Sequence, residues 1–247
     1  MIHQLKWFKT YYKRIDYIRT LYINFKMLPL KQAIHFPIIL GHGVRFKKMS
    51  GNIILNVKHL SPGIITFAIY NTVVDHNSYI GFFDIAGTII FKGKVKFHTG
   101  AKVVTKKNAI LTFEGENTLG HLSVICCAKK ISFGYFVTIS WNCQIYDTNF
   151  HFFEDTESKT IKPRSSYVIL GDYVFCGNGS NICKNSIIPK GCVISNFSII
   201  NKDFTSEGEF LLIAGNPATV IKKGYRCIYG KSLLDNSIEN FYAKSLE

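Results

Sequence analysis

A period of six runs through much of the chain. Stepping by six from Tyr79 gives Ile85, Phe91, Phe97, Val103, Ala109, Gly115, His121, Cys127, Phe133, Ile139 and Ile145. The positions four further on run from Phe83 through Ile89, Val95, Ala101, Lys107, Phe113, Leu119, Ile125, Ile131 and Val137 to Cys143. Both rows are mainly apolar and lapse near Lys107, Gly115 and His121. A second block in a shifted frame runs through Leu170, Cys176, Ile182, Ile188, Ile194 and Ile200, with Val174, Ser180, Ser186, Cys192 and Ser198 four further on. An ordinary all-β sheet whose period-two alternation shows a multiple of six is the competing explanation, and the length of the run argues against it.

The stretch GDYVFCGNGSNICKNSIIPKGCVISNFSIINKD resembles the hexapeptide repeat of left-handed parallel β-helix proteins, in which a large aliphatic residue begins each hexad and a small one follows. Each hexad supplies a short strand and a corner, and three hexads close a triangular coil. Coils stack at about 4.8 Å, so backbone groups bond to the coils above and below. The expected class is an all-β solenoid, a left-handed parallel β-helix with an N-terminal helical segment and a short C-terminal extension. Parallel crossovers are normally right-handed, so the hand follows from the resemblance and not from the period.

The expected organisation is a basic, partly helical cap over 1–54, the β-helix over 55–205, and a C-terminal turn and tail over 206–247. Residues 1–31 carry Leu5, Phe8, Tyr12, Ile15, Ile18 and Tyr22 on one helical stripe. Such a helix can cover the open end of a solenoid and shield its unpaired edge. SLLDNSIENFYAKSLE at the C-terminus reads as a short helix or a frayed tail. The two frames are separated by residues 146–169, YDTNFHFFEDTESKTIKPRSSYVI, which fit neither. An insertion in a solenoid has to leave the wall as a loop, where binding groups accumulate.

The formal charge of +14 points to an anionic partner: nucleic acid, an acidic membrane surface or phosphorylated small molecules. No uninterrupted apolar run or small-residue cleavage site opens the chain, so neither a signal peptide nor a membrane span is expected, and the cytoplasm is the expected compartment. Seven cysteines without CxxC spacing, two of them adjacent at Cys126 and Cys127, argue against a disulfide framework or a zinc site.

Within this pattern, ISWNCQIYDTNFHFF, the second hexapeptide block and IAGNPATVIKKG occur in order. Together they resemble the acyl-CoA-dependent O- and N-acetyltransferases of sugars, and more closely those of bacterial capsule and O-antigen (lipopolysaccharide) synthesis, over roughly residues 79 to 224. The resemblance implies an acetyl-CoA-dependent transferase acting on a sugar hydroxyl, assembled as a homotrimer with each site between two subunits. It makes His151 the general base, because a neutral imidazole can take the proton of a poorly nucleophilic hydroxyl as it attacks the thioester. Asp147 binds the acceptor or orients His151, with Glu154 as the rival orienter and a turn-forming aspartate as the plain alternative. Trp141 and Asn142 occupy outward hexad positions where they bind sugar or pack an interface.

For coenzyme A, the same resemblance places Phe175, Gly177 and Asn178 along the pantetheine, and Asn196, Asn201 and Lys202 further along the groove. Lys222 falls where a basic residue meets the 3′-phosphate, with Lys223 beside it. No metal and no nucleic acid are expected. The acceptor is a nucleotide-linked, lipid-linked or polymeric sugar. The zinc site of a γ-class carbonic anhydrase needs three close histidines, and His98, His121 and His151 are scattered in sequence.

Two alternatives remain at this stage. One is N-acetylation of an amino sugar. The other is a non-catalytic β-helix that binds an anionic membrane surface, since Lys6, Lys9, Lys13, Arg14, Arg19, Lys26 and Lys31 interleave with Trp7, Phe8, Tyr11 and Tyr12 near the N-terminus. Peripheral contact with the inner face of the membrane is also compatible with the enzyme.

Overall fold

The computed structural model describes residues 12–69 and 79–228. Three parallel ladders wrap around one axis as a left-handed β-helix. The first face stacks Ile38–Leu40, Ile65–Phe67, Val95–Phe97, Asn117–Leu119, Thr138–Ile139, Phe175–Cys176, Val193–Ile194 and Leu211–Gly215. The second stacks Val44–Met49, Gly81–Ile85, Lys102–Thr105, Val124–Cys127, Gln144–Tyr146, Asn181–Ile182 and Ile199–Ile200. The third stacks Asn52–Leu55, Thr88–Phe91, Ile110–Gly115, Lys130–Tyr135, Tyr167–Leu170 and Ser186–Ile188.

The interior follows the hexad rows. In the lower coils the prism is filled by phenylalanine: Phe113 stacks on Phe91 at 5.3 Å and on Phe133 at 4.8 Å between ring centroids, and Phe67 stacks on Phe97 at 5.3 Å. In the upper coils Ile182, Ile188, Ile194 and Ile200 replace the rings, all fully buried. The serines of the small row turn their hydroxyls onto the wall. Ser180 Oγ donates to the Ser195 carbonyl at 2.8 Å and accepts from Ser198 N–H at 3.2 Å. A buried hydroxyl would otherwise cost free energy, so each small residue also ties two coils.

Only part of the helix keeps an 18-residue coil, as where Phe175 pairs with Val193. Below it, Thr118 pairs with Thr138, two residues more. The extra residues are taken up at corners. Lys107, where the apolar row lapses, is exposed because the chain turns there through Asn108 with φ 64°. The β-helix also starts earlier than residue 55: Ile38–Leu40, Val44–Met49 and Asn52–Leu55 already form a coil. An irregularity between Phe46 and Met49 hides the period in the sequence. At the other end Leu211–Gly215 extends the first face beyond 205, and Ala218–Lys223 folds back on it antiparallel.

Helix α1 (Tyr17–Met27) closes the lower end. Asp16 caps it by accepting the Arg19 N–H at 3.0 Å. The free edge of Ile38–Leu40 would expose unpaired backbone, and α1 satisfies it. Asn24 Nδ2 donates to the Ile38 carbonyl at 2.7 Å, and Asn24 Oδ1 accepts the Ile38 N–H at 3.2 Å. Thr20 Oγ1 accepts the Leu40 N–H at 3.0 Å, and Asp16 N–H reaches the Leu40 carbonyl at 2.8 Å. The buried stripe is Thr20, Ile23 and Asn24, so the expected stripe through Ile18 and Tyr22 lies on the opposite, exposed side. Leu5 and Phe8 of that stripe, the basic residues Lys6 and Lys9, and the C-terminal SLLDNSIENFYAKSLE lie outside the described residues. Among the described residues no helix is long and apolar enough to cross a membrane.

Candidate active site

The insertion leaves the wall as an arm rooted at Asp147. The Asp147 side chain is fully buried. Its carboxylate accepts the backbone N–H groups of Ala128, Lys129 and Lys130 at 2.6, 2.7 and 2.6 Å, and Cys127 Sγ lies 3.7 Å away. These donors form the corner of the coil below. The Asp147 side chain therefore acts on the wall, and the partners of its carboxylate are in that corner. The contact seen is that of the plain alternative, an aspartate that shapes a turn: the carboxylate takes three amides of the corner below, which would otherwise be buried donors.

Past Asp147 the arm closes on itself. Ser166 N–H donates to the Asp147 carbonyl at 2.8 Å, Asn149 N–H to the Arg164 carbonyl at 3.0 Å, and Ser165 Oγ to Thr148 Oγ1 at 3.0 Å. Phe153–Glu154 then pairs antiparallel with Ile161–Lys162. Asp155 forms the tip, accepting the Glu157 and Ser158 N–H groups at 3.1 and 3.0 Å. Those bonds hold its carboxyl below the usual value. His151 lies exposed at the bend between Phe150, which has a φ of 62°, and Phe152. Glu154 is exposed on the hairpin, its backbone facing Ile161.

Between the arm and the second face lies a cleft of about 540 Å³, lined among others by Val124, Cys126, Gln144, Tyr146, Asn149 and Phe153. Burial, then the bond from Cys183 Sγ at 3.2 Å, pushes the Tyr146 phenol up to about 12. Burial also pushes the Cys126 thiol up. The walls between arm and sheet thus carry no charged side chain, with the amides of Gln144 and Asn149, the Thr148 hydroxyl and the Tyr146 phenol among apolar groups, which suits a polar but uncharged moiety such as a sugar ring or an amide chain. Sequence reasoning missed Gln144 and Tyr146. They flank the inward Ile145 on the last strand before the arm, and only the stacking of coils shows what they face.

Trp141, Asn142, Gly177, Asn178 and Asn196 come together on the corner between the first and second faces. Asn142 has a left-handed backbone with φ 57°, and its N–H donates to the His121 carbonyl at 2.8 Å. Asn178 Oδ1 accepts the Trp141 N–H at 3.2 Å and the Ser140 hydroxyl, while Asn196 Oδ1 accepts the Asn178 N–H at 2.8 Å. The carboxamide oxygens of Asn178 and Asn196 are therefore used to join coils. Gly177 permits this approach, because a Cβ there would lie 2.4 Å from Asn196 Oδ1. Phe175 is half-buried on the strand that leads into the corner. Phe197, which the sequence reading passed over, is 76% exposed beside Asn196.

The remaining expected cofactor residues lie elsewhere. Asn201 and Lys202 follow Ile199–Ile200 at the next corner, where Lys202 Nζ sits 5.0 Å from the Phe204 ring centroid. Lys222 and Lys223 are on the returning strand opposite Leu212 and Leu211. Lys223 Nζ pairs with Glu207 Oε2 at 3.4 Å, whereas Lys222 Nζ lies over the Tyr225 ring at 5.9 Å. His98 and His121, scattered in sequence, meet on successive coils with ring centroids 5.0 Å apart. Among the described residues no group of three or more His, Cys, Asp or Glu side chains is placed to hold a metal ion.

The architecture has counterparts among solved structures. The polySia-specific acetyltransferase NeuO superposes with a TM-score of 0.50 at 20% identity, over 81% of this chain and 80% of that one. This chain has the same fold. The polysialic acid O-acetyltransferase OatWY gives 0.48 at 18% identity over 82% and 97% of the two chains. AntD, an N-acyltransferase from Bacillus cereus in complex with dTDP and 3-hydroxybutyryl-CoA, gives 0.37 at 15% identity over 85% and 88%. No protein-family model matches the sequence, and no curated protein does.

Proposed function

We propose that the protein is an acetyl-CoA-dependent acyltransferase that acetylates a sugar hydroxyl in the making of a bacterial surface polysaccharide, with His151 as general base. The observation that carries this reading is the arm itself: it holds a single histidine, exposed one residue past Phe150 in the cleft wall, and its root is clamped by three amides on one buried carboxylate. The shared fold with a polySia-specific acetyltransferase supports a saccharide acceptor.

In the step proposed, neutral His151 takes the hydroxyl proton as the oxygen attacks the thioester carbonyl. The tetrahedral intermediate collapses with cleavage of the C–S bond, and the imidazolium returns the proton to the leaving thiolate. No acyl-enzyme is formed. Burial pushes up the Cys126 thiol in the cleft wall, which keeps it protonated and a poor nucleophile. The donor lies along the corner that carries Phe175, Gly177, Asn178 and Asn196, with Phe197 adding apolar surface for pantetheine. Lys222 meets the phosphates, since Lys223 is engaged by Glu207. Trp141 stands on the same corner, so in a trimer donor and acceptor would meet between two subunits.

Release of free thiol from acetyl-CoA, followed across nucleotide-linked, lipid-linked and polymeric sugars, tests the reading. Thiol release dependent on a hydroxyl sugar is expected. Release with amino sugars alone would make it an N-acetyltransferase, and failure to bind any acyl-CoA would end the reading.

A further inference from the structure

Helix α1 has one covered face and, opposite it, an exposed apolar one. Thr20, Ile23 and Asn24 turn inward onto the edge of Ile38–Leu40. On the other side Ile18, Leu21, Tyr22 and Phe25 follow the spacing of a single helical stripe, and all four are exposed, Ile18 by 82%. The stripe continues into the next segment: the Phe25 and Phe36 rings lie 6.1 Å apart, and Leu30 and Ile34 are also exposed, Leu30 by 67%. Single exposed apolar residues are ordinary, but a contiguous patch marks a binding surface.

Charge selects the occupant. Residues 12–69 hold nine Lys and Arg against one acidic residue, Asp16, whose carboxylate is taken by Arg19. Arg19 and Lys26 flank the stripe on α1, and Lys31 lies on the short helix Leu30–Ala33 that follows. A second copy would set this basic surface against itself. An anionic bilayer matches both halves of it, burying the apolar stripe at the headgroup boundary while the cations meet lipid phosphates. The 11 residues of α1 are too few to span a bilayer, so the helix lies in the plane.

We propose that the exposed face of α1, with Leu30 and Ile34, docks the lower end of the β-helix onto an anionic membrane surface. The inference does not depend on the acyltransferase reading. It is tested with the full chain by cosedimentation with phosphatidylcholine vesicles, with and without phosphatidylglycerol. The expected result is binding that requires the anionic lipid, falls with added salt, and weakens roughly tenfold or more in both Ile18→Ser/Leu21→Ser and Lys26→Glu/Lys31→Glu. All four side chains point to solvent, so unchanged thermal unfolding is expected of the variants. Equal binding to neutral vesicles, or binding unaltered in both double variants, would overturn the proposal. So would an assembly of the wild type in free solution that Ile18→Ser/Leu21→Ser splits, which would assign the face to a second copy.

Discussion

The Asp147 carboxylate lies 2.6 Å from the amide nitrogen of Lys130, on the coil below, and the residue that leaves the wall is thereby tied to the wall. With Ala128 and Lys129 bound to the same carboxylate, the root of the arm is fixed although its outer half is exposed. Asp147→Asn keeps the shape but turns one acceptor into a donor facing amide hydrogens. The expected cost is about 1–3 kcal/mol, read by denaturant unfolding. In turnover the loss should fall on kcat while the KM for acetyl-CoA stays nearly constant, because His151 is displaced and the donor corner is not. A purely structural role would lower stability alone.

The lower edge gives a second prediction. Asn24→Leu keeps the volume roughly but leaves the Ile38 N–H and carbonyl without their partner. A loss of about 2–4 kcal/mol in unfolding free energy is expected, with faster aggregation as the edge strand becomes available.

Acid should loosen the same cap. Burial raises the Asp16 carboxyl, but the Arg19 amide and guanidinium outweigh it and hold the group below its ordinary value of 3.8. A lowered folded value means the stabilisation is fully present above 3.8 and is lost as pH falls through the folded value. Asp16→Asn should therefore be less stable than wild type at neutral pH, and the two unfolding curves should converge in strong acid. A constant gap at every pH would contradict this.

Thiol reactivity separates the cysteines. Burial pushes Cys126, Cys127, Cys183 and Cys192 up, and the contact with Cys143 followed by burial does so for Cys176, so exposure, greatest at Cys183 and Cys227, sets the order. A chromogenic thiol reagent should label the native protein slowly, at Cys183 and Cys227 first, and all seven cysteines after denaturation. Cys126→Ala should keep its kcat, as the proposed direct transfer requires.

Much of the fold was legible because a solenoid writes its geometry as a period. Phe91, Phe113 and Phe133 fall on the expected rows and stack in the prism. The first coil was not legible, since the irregularity near Phe46 breaks the count. The arm was legible as an interruption of the frame. What its residues touch was not: Asp147 is buried because of a corner 17 residues earlier, and nothing local to DTNFHFF encodes that. Asn178 and Asn196 likewise reach each other only once coils stack. Exposed His151 has the opposite character, since its chemistry is local even though its placement is not.

The role proposed for His151 is to remove the proton from the acceptor hydroxyl. The direct measurement is steady-state turnover of His151→Ala beside calorimetric binding of acetyl-CoA. A fall in kcat of about 10²–10⁴ with the donor Kd unchanged is predicted. Turnover within a few-fold of wild type, with the donor bound equally well, would contradict it.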